Sequence, residues 1–208
     1  MGYGFTWQGL ALEARGSGAL WAAQYRALIA ADLHLGRSLR STRDGGLPLP
    51  PFESLDTLRR LAAEVAALNP ARVYLLGDTL DAAGLGPDLP EAARAVLEPM
   101  QRDGRYVFLS GNHDAGGQGE ARLGPVTLRH IAGEGPDISG HYHPKLRFMG
   151  RSYPVFLAGR DHLILPAFGT YTGGLFWSAP ALQKLIPQGL AIIRAPRPFA
   201  VPLSAPKA

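Results

Sequence analysis

Three apolar runs in this chain stop at residues of the kinds that ligate metals, and that repeated ending limits the possible folds more than any other feature. Residues 21–32 run into Asp32-Leu33-His34, residues 73–76 into Gly77-Asp78-Thr79-Leu80-Asp81, and residues 106–109 into Ser110-Gly111-Asn112-His113-Asp114. Short apolar runs bounded by turn residues read as buried strands. Between the first two, Leu55, Leu58, Leu61, Ala62, Val65 and Leu68 recur at helical spacing. Segment 52–68 is therefore expected to be an amphipathic helix stopped by Asn69-Pro70, and segment 90–102 a second helix with Pro at its start and Gly104 beyond its end. Strands alternating with helices predict an α/β architecture whose functional groups gather at the carboxyl ends of the strands. Segment 9–15 reads as a further strand, set off by Gly16-Ser17-Gly18, and the Gly-, Pro- and Arg-rich segment 37–51 as a loop.

After residue 125 the pattern changes to short strands with little helix, at 137–141, 153–157, 162–165 and 190–194. That change predicts a second sheet stacked on the first. With 208 residues and no linker-like stretch, residues 1–208 are expected to form a single domain.

Composition narrows the chemistry. The chain has no cysteine, which excludes a disulfide scaffold, a zinc ribbon, an iron–sulfur site and a thiol nucleophile. It carries no Gly-x-Gly-x-x-Gly, no phosphate-loop Gly-Lys-Ser/Thr and no Gly-x-Ser-x-Gly elbow. The net charge of +4, with 18 Arg against 3 Lys, permits an anionic partner without requiring one. The longest stretch lacking Asp, Glu, Lys and Arg, 162–183, is broken by Pro166, Pro180, Gly169, Gly173 and Gly174, so no membrane span is expected. With no secretory signal pattern at the start, the expected location is cytoplasmic.

The ligand-type residues form one ordered series: Asp32-x-His34, Asp78-x-x-Asp81, Asn112-His113-Asp114, His130 and His141-x-His143. Each piece alone has a plain structural reading. Asp-x-His suits a surface pair, Gly-Asp and Gly-Asn a turn, and His130 a structural side chain. His-x-His on a strand puts both rings on one face, as neighbouring ligands require, but also suits an exposed pair. Together, five of the six histidines fall in this series, beside Asp and Asn at strand ends.

In order and form the series resembles the calcineurin-like metallophosphoesterase superfamily over 32–143. The resemblance implies a two-sheet β-sandwich flanked by helices, with a dinuclear centre at the loops. By position, Asp32, His34 and His143 would hold one ion and Asn112, His130 and His141 the other, with Asp78 between them. His113 would be the general acid, and Asp81 and Asp114 would orient neighbours without touching metal. Oxygen and imidazole donors without thiolate suit two divalent transition-metal ions, with manganese expected and iron or zinc as alternatives. Two such ions acidify a shared water, whose hydroxide is the expected nucleophile, and a histidine can protonate the leaving alkoxide.

A narrower likeness lies outside the ligands. Ala31-Asp32-Leu33-His34-Leu35-Gly36-Arg37, then Gly46 and Pro48-Leu49-Pro50, Leu128-Arg129-His130, and Leu165-Pro166-Ala167-Phe168-Gly169-Thr170-Tyr171-Thr172-Gly173-Gly174 are similar to the bacterial ligase-associated DNA damage response endonucleases. Arg37 stands where that branch more usually has Lys, which keeps the charge. The likeness implies DNA as substrate and a DNA ligase, a helicase and an exonuclease as partners in one repair system. Arg37, Arg40 and Arg43 read either as a phosphate clamp or as a solvated face. Segment 168–174 reads as a glycine turn, or as a loop bringing Tyr171 or Thr170 over the metals.

Two rival functions remain at this point. One is the same dinuclear chemistry on a small phosphodiester, such as a cyclic nucleotide or a nucleotide-sugar lipid. The other is a non-catalytic scaffold of a repair complex, whose expected mark, a missing ligand or a replaced His113, is absent.

Overall fold

The computed structural model describes residues 1–46, 49–114 and 119–204; Pro48 of the Pro-Leu-Pro segment lies outside them. Its elements follow in chain order. The strands β1 (Gly2–Trp7), β2 (Leu10–Arg15), β3 (Leu20–Ala22) and β4 (Ala27–Ala30) form an antiparallel meander. Helices α1 (Arg37–Arg43) and α2 (Glu53–Leu68) lead to β5 (Arg72–Leu76), and α3 (Glu91–Arg102) to β6 (Tyr106–Leu109). Strands β4, β5 and β6 are parallel neighbours and complete a six-stranded sheet in sequence order.

The second half supplies β7 (Glu120–Leu123), β8 (Val126–Arg129), β9 (Asp137–Ser139), β10 (Lys145–Phe148), β11 (Arg151–Ala158), β12 (His162–Ile164), α4 (Pro180–Leu185), β13 (Gly189–Ile193) and β14 (Phe199–Leu203). They build an eight-stranded sheet in the order β14-β13-β11-β12-β9-β8-β7, with β10 paired to β11. The expected α/β sandwich of two sheets flanked by helices is the fold observed.

Alternation along the strands explains the layering. In β4 all four side chains are buried, but Ile29 faces the core between the sheets while Leu28 and Ala30 face the helices. In β11, Phe156 enters the inter-sheet core with Leu12, Leu20 and Ile138, whereas Val155 and Leu157 pack outward with Leu182 and Ile186 around α4. Leu58 and Leu61 of α2 and Leu97 and Met100 of α3 cover the outer face of the first sheet. Both faces of β4 and of the C-terminal half of β11 are thus dry, which is why these strands read as continuous apolar runs.

Three expectations need correction. The run 21–32 is not one strand: it folds back between β3 and β4 through a 3-10 turn at Ala23–Tyr25, with Arg26 left-handed at φ 47°. No glycine, proline or asparagine marks that turn. Segment 37–51 is not all loop, because α1 occupies its start. Nothing apolar at helical spacing announces α1; it is held from below by buried Glu53, whose Oε1 accepts hydrogen bonds from the Ser38 backbone N–H at 3.2 Å and the Ser38 hydroxyl at 2.9 Å. Finally, the strand expected over 137–141 stops at Ser139, so His141 and His143 stand in the loop after β9 and not on one face of a strand; β1, β7, β8, β10, β14 and α4 carried too short or too mixed a pattern to be read.

Phe156 is fully buried between the sheets, so Phe156→Ala is expected to cost about 3–5 kcal/mol of unfolding free energy through lost burial and a residual cavity. Chemical denaturation of the metal-free protein measures it, and a change below about 1 kcal/mol would show that the inter-sheet core is not as described.

Candidate metal centre

Five strand ends converge. Asp32 and His34 follow β4, Asp78 follows β5, Asn112, His113 and Asp114 follow β6, His130 follows β8, and His141 and His143 follow β9. The loops after β4 and β5 lie side by side, with the His34 N–H donating to the Asp78 carbonyl at 2.9 Å and the Leu35 N–H to the Thr79 carbonyl at 3.0 Å. Asp32, His34, Asp78, His141 and His143 all have positive φ, between 46° and 68°. Non-glycine residues seldom adopt this region, and such strain concentrates at functional sites. Neighbouring glycines allow the crowding: a Cβ on Gly111 would overlap the Asp78 carboxylate, and one on Gly140 the Asp32 carboxylate.

Each carboxylate is divided between backbone and site. The His141 N–H donates to Asp32 Oδ2 at 2.8 Å, and the His113 N–H donates to Asp78 Oδ1 at 3.0 Å. Asp32 Oδ1 is then buried with no hydrogen bond, 3.5 Å from His143 Nε2. Asp78 Oδ2 lies 3.5 Å from His130 Nε2 and 3.9 Å from both His34 Nε2 and His113 Nε2. Two groups could each hold a cation: Asp32, His34 and His143, and Asp78, His130 and His141. The Asp78 oxygen faces both.

Outer hydrogen bonds select the imidazole tautomers. His130 Nδ1 lies 2.9 Å from the Leu76 carbonyl, which can only accept, so that nitrogen carries the proton. The Nε2 lone pair then points at Asn112 Oδ1, 2.9 Å away, and His141 Nδ1 lies 3.1 Å from the same oxygen. In like fashion His34 Nδ1 lies 2.9 Å from Asp81 Oδ1, and its Nε2 faces His143 Nε2 at 3.2 Å. Lone pairs converging on oxygen and on one another are unfavourable unless a proton or cation lies between them. The donor set therefore fits two divalent metals. Burial, followed by the field of His130, lowers the His141 pKa and favours its neutral, ligating form.

Asp81 is fully buried and binds three cationic side chains or potential cations: His34, Arg37 through Nη1 at 3.1 Å, and Arg40 through Nε at 2.9 Å. Burial would raise its pKa, but the hydrogen bond and charge of His34, with Arg37 and Arg40, outweigh that and hold it below the usual carboxylate value. Arg43 pairs with Asp88 at 3.0 Å. The three arginines share α1, and each engages an acid. Asp114 accepts from the Gly111 N–H at 2.9 Å and the Leu80 N–H at 3.4 Å, tying the β6 loop to the β5 loop. The sixth histidine, His162, pairs with Asp137 at 3.0 Å.

The segment after β12 also reaches the site, and here sequence reasoning missed residues. The Phe168 N–H donates to the Ala31 carbonyl at 2.8 Å and the Gly169 N–H to the Asp32 carbonyl at 3.0 Å. Two arginines brace this turn: Arg60 donates to the Phe168 carbonyl and lies over the Phe168 ring, and Arg194 donates to the Ala167 carbonyl at 3.0 Å. Burial, then repulsion from Arg60, lowers Arg194 to about 10, which leaves it charged at neutral pH. Their partners are backbone carbonyls distant in sequence, which no motif encodes.

No family model matches the chain, and no curated protein does. Among solved structures it is similar to the crystal structure of Pseudomonas putida nuclease MPE, at 26% identity and a TM-score of 0.74, over 98% of this chain and 100% of that one. Among the described residues no helix is long and apolar enough to cross a membrane.

Asp81→Asn removes the anion that binds Arg37 and Arg40 and orients His34. Loss of such an outer partner is expected to weaken one of two manganese-binding events by about 10- to 100-fold and leave the other in place. Calorimetric titration of metal-free protein reads this, and an isotherm identical to that of the parent would remove Asp81 from the account.

Proposed function

We propose that this chain is a two-metal phosphodiesterase that cuts DNA. The observation that carries the reading is the position of Asp78 Oδ2, within 3.9 Å of imidazole nitrogens from both clusters. Asp32, His34 and His143 would hold one ion and Asn112, His130 and His141 the other, with Asp78 shared. When bound, two divalent ions, manganese by preference, would acidify a water toward neutral pH and offset the charge of a phosphodiester. The protein's part is to preset the donors in position.

His113 is the proposed general acid. Its backbone N–H anchors on Asp78 and its ring is partly exposed, so Nε2 can hand a proton to a departing oxygen at the rim of the site. Asp81 would orient His34, and Asp114 would keep the β6 loop in register. Arg37, Arg40 and Arg43 are the proposed phosphate contacts, and their ion pairs with Asp81 and Asp88 reduce what each can add. Similarity over nearly the whole chain to a protein described as a nuclease supports a nucleic acid as the substrate, and the sequence resemblance narrows it to DNA. Partnership with a DNA ligase, a helicase and an exonuclease rests on the sequence resemblance and is proposed with it; a cytoplasmic location is proposed as well.

The test is a manganese-dependent turnover panel with a phosphomonoester, a small diester, and single- and double-stranded DNA. Hydrolysis of DNA and of the small diester, with the monoester far slower, is the expected result. Turnover of the small diester alone would replace the nuclease with a small-molecule phosphodiesterase, and turnover of none would favour the scaffold. His113→Ala is expected to retain its metal and lose about 10²- to 10⁴-fold in turnover of a poor leaving group, and less with a nitrophenyl group. Equal losses on both would remove His113 as the proton donor.

A further inference from the structure

Residues 169–174 form an arch whose two feet stand on ligands of one cluster. At one foot, the Gly169 N–H binds the Asp32 carbonyl at 3.0 Å, and a Cβ on Gly169 would overlap the Leu33 carbonyl. At the other, Gly174 lies against His143 so closely that a Cβ would overlap the His143 carbonyl. Hydrogen bonds tie the shoulders down. The Thr170 hydroxyl donates to Asp56 at 2.8 Å, its N–H to the Thr57 hydroxyl at 3.2 Å, and the Thr172 hydroxyl to the Gly169 carbonyl at 3.3 Å.

Tyr171 sits at the top of the arch. Its side chain is not part of the core: the residue is 48% exposed. Its backbone is left-handed, at φ 61°, an uncommon state for a bulky aromatic residue. Its carbonyl accepts a hydrogen bond from Arg37 Nε at 3.1 Å, and the same guanidinium binds Asp81 through Nη1. The turn thus leaves the Tyr171 side chain partly in solvent, while its backbone carbonyl is held by an arginine that is itself tied to His34 through Asp81.

Resting on the nuclease reading, we infer that Tyr171 is a nucleobase-stacking residue that positions the strand over the metal centre, with Arg37 beside it for the adjoining phosphate. Single-stranded nucleic acid is bound by exposed aromatic rings that take bases and nearby cations that take phosphates, and Tyr171 and Arg37, joined through the Tyr171 carbonyl, offer one of each. The base it takes must be unpaired, because a base within a duplex has both faces covered. A second exposed aromatic, Phe52 at 71%, immediately precedes α2, one turn before the Asp56 that Thr170 binds.

The experiment measures binding, not turnover. Calcium-loaded protein is titrated into fluorescein-labelled single-stranded oligonucleotides, one intact and the others carrying a single abasic residue at successive positions. The parent protein is expected to bind one abasic strand roughly 10- to 100-fold more weakly than the intact strand. Tyr171→Ala should bind the intact strand at that weakened level and show no further loss at the abasic position, while Tyr171→Phe and Tyr171→Trp keep the parent's discrimination. The inference is overturned if Tyr171→Ala still discriminates as the parent does, or if Tyr171→Phe behaves like Tyr171→Ala, which would assign the effect to the hydroxyl. A parent protein that neither binds nor cuts any strand would instead overturn the nuclease reading.

Discussion

The site depends on how two aspartates are shared between the backbone and the space at the strand ends. Asp32 and Asp78 each spend one carboxylate oxygen on a backbone N–H, from His141 and His113 respectively, and present the other to imidazole. That division requires left-handed backbone at both aspartates and no Cβ at Gly111 and Gly140. A buried carboxylate oxygen without a hydrogen bond is costly. The fold tolerates the cost at Asp32 because the same oxygen faces donors that converge as a cation's ligands would.

The surroundings keep this arrangement from relaxing. Parallel strands β4, β5 and β6 bring three ligand-bearing loops to one edge of the first sheet, and β8 and β9 bring the remaining imidazoles from the second. The two sheets meet there through the bridge between Ala31 and Ala167. Arg60 and Arg194 then fix the turn that follows by filling its carbonyls, each at a desolvation penalty that lowers its pKa. Charged groups used in this way hold geometry more than they add stability, and what they hold is the backbone of Asp32.

Much of this was legible in the sequence for a physical reason. A strand buried on both faces must be apolar throughout, so its end shows as an abrupt change of residue type, and Asp32, Asp78 and Asn112 stand at or just after such changes. His130 and the His141-x-His143 pair were readable only as members of the ordered series, since β8 and β9 are short. Other features were hidden because they depend on contacts between distant parts of the chain. The Glu53 bonds that support α1, the Leu76 carbonyl that sets the His130 tautomer, and the braces on the Phe168 turn have no local pattern. The arginines illustrate the same limit: from the sequence they read either as a phosphate clamp or as a solvated face, whereas Asp81 and Asp88 stand against them in the fold.

The proposed chemistry requires the two donor groups to be halves of a single dinuclear centre joined by Asp78. Anomalous diffraction from crystals grown or soaked with manganese tests it most directly. Two peaks about 3.5 to 4 Å apart, one against Asp32, His34 and His143, the other against Asn112, His130 and His141, with Asp78 Oδ2 between them, are the predicted result. A single peak, or two peaks whose only common neighbour is solvent, would contradict it.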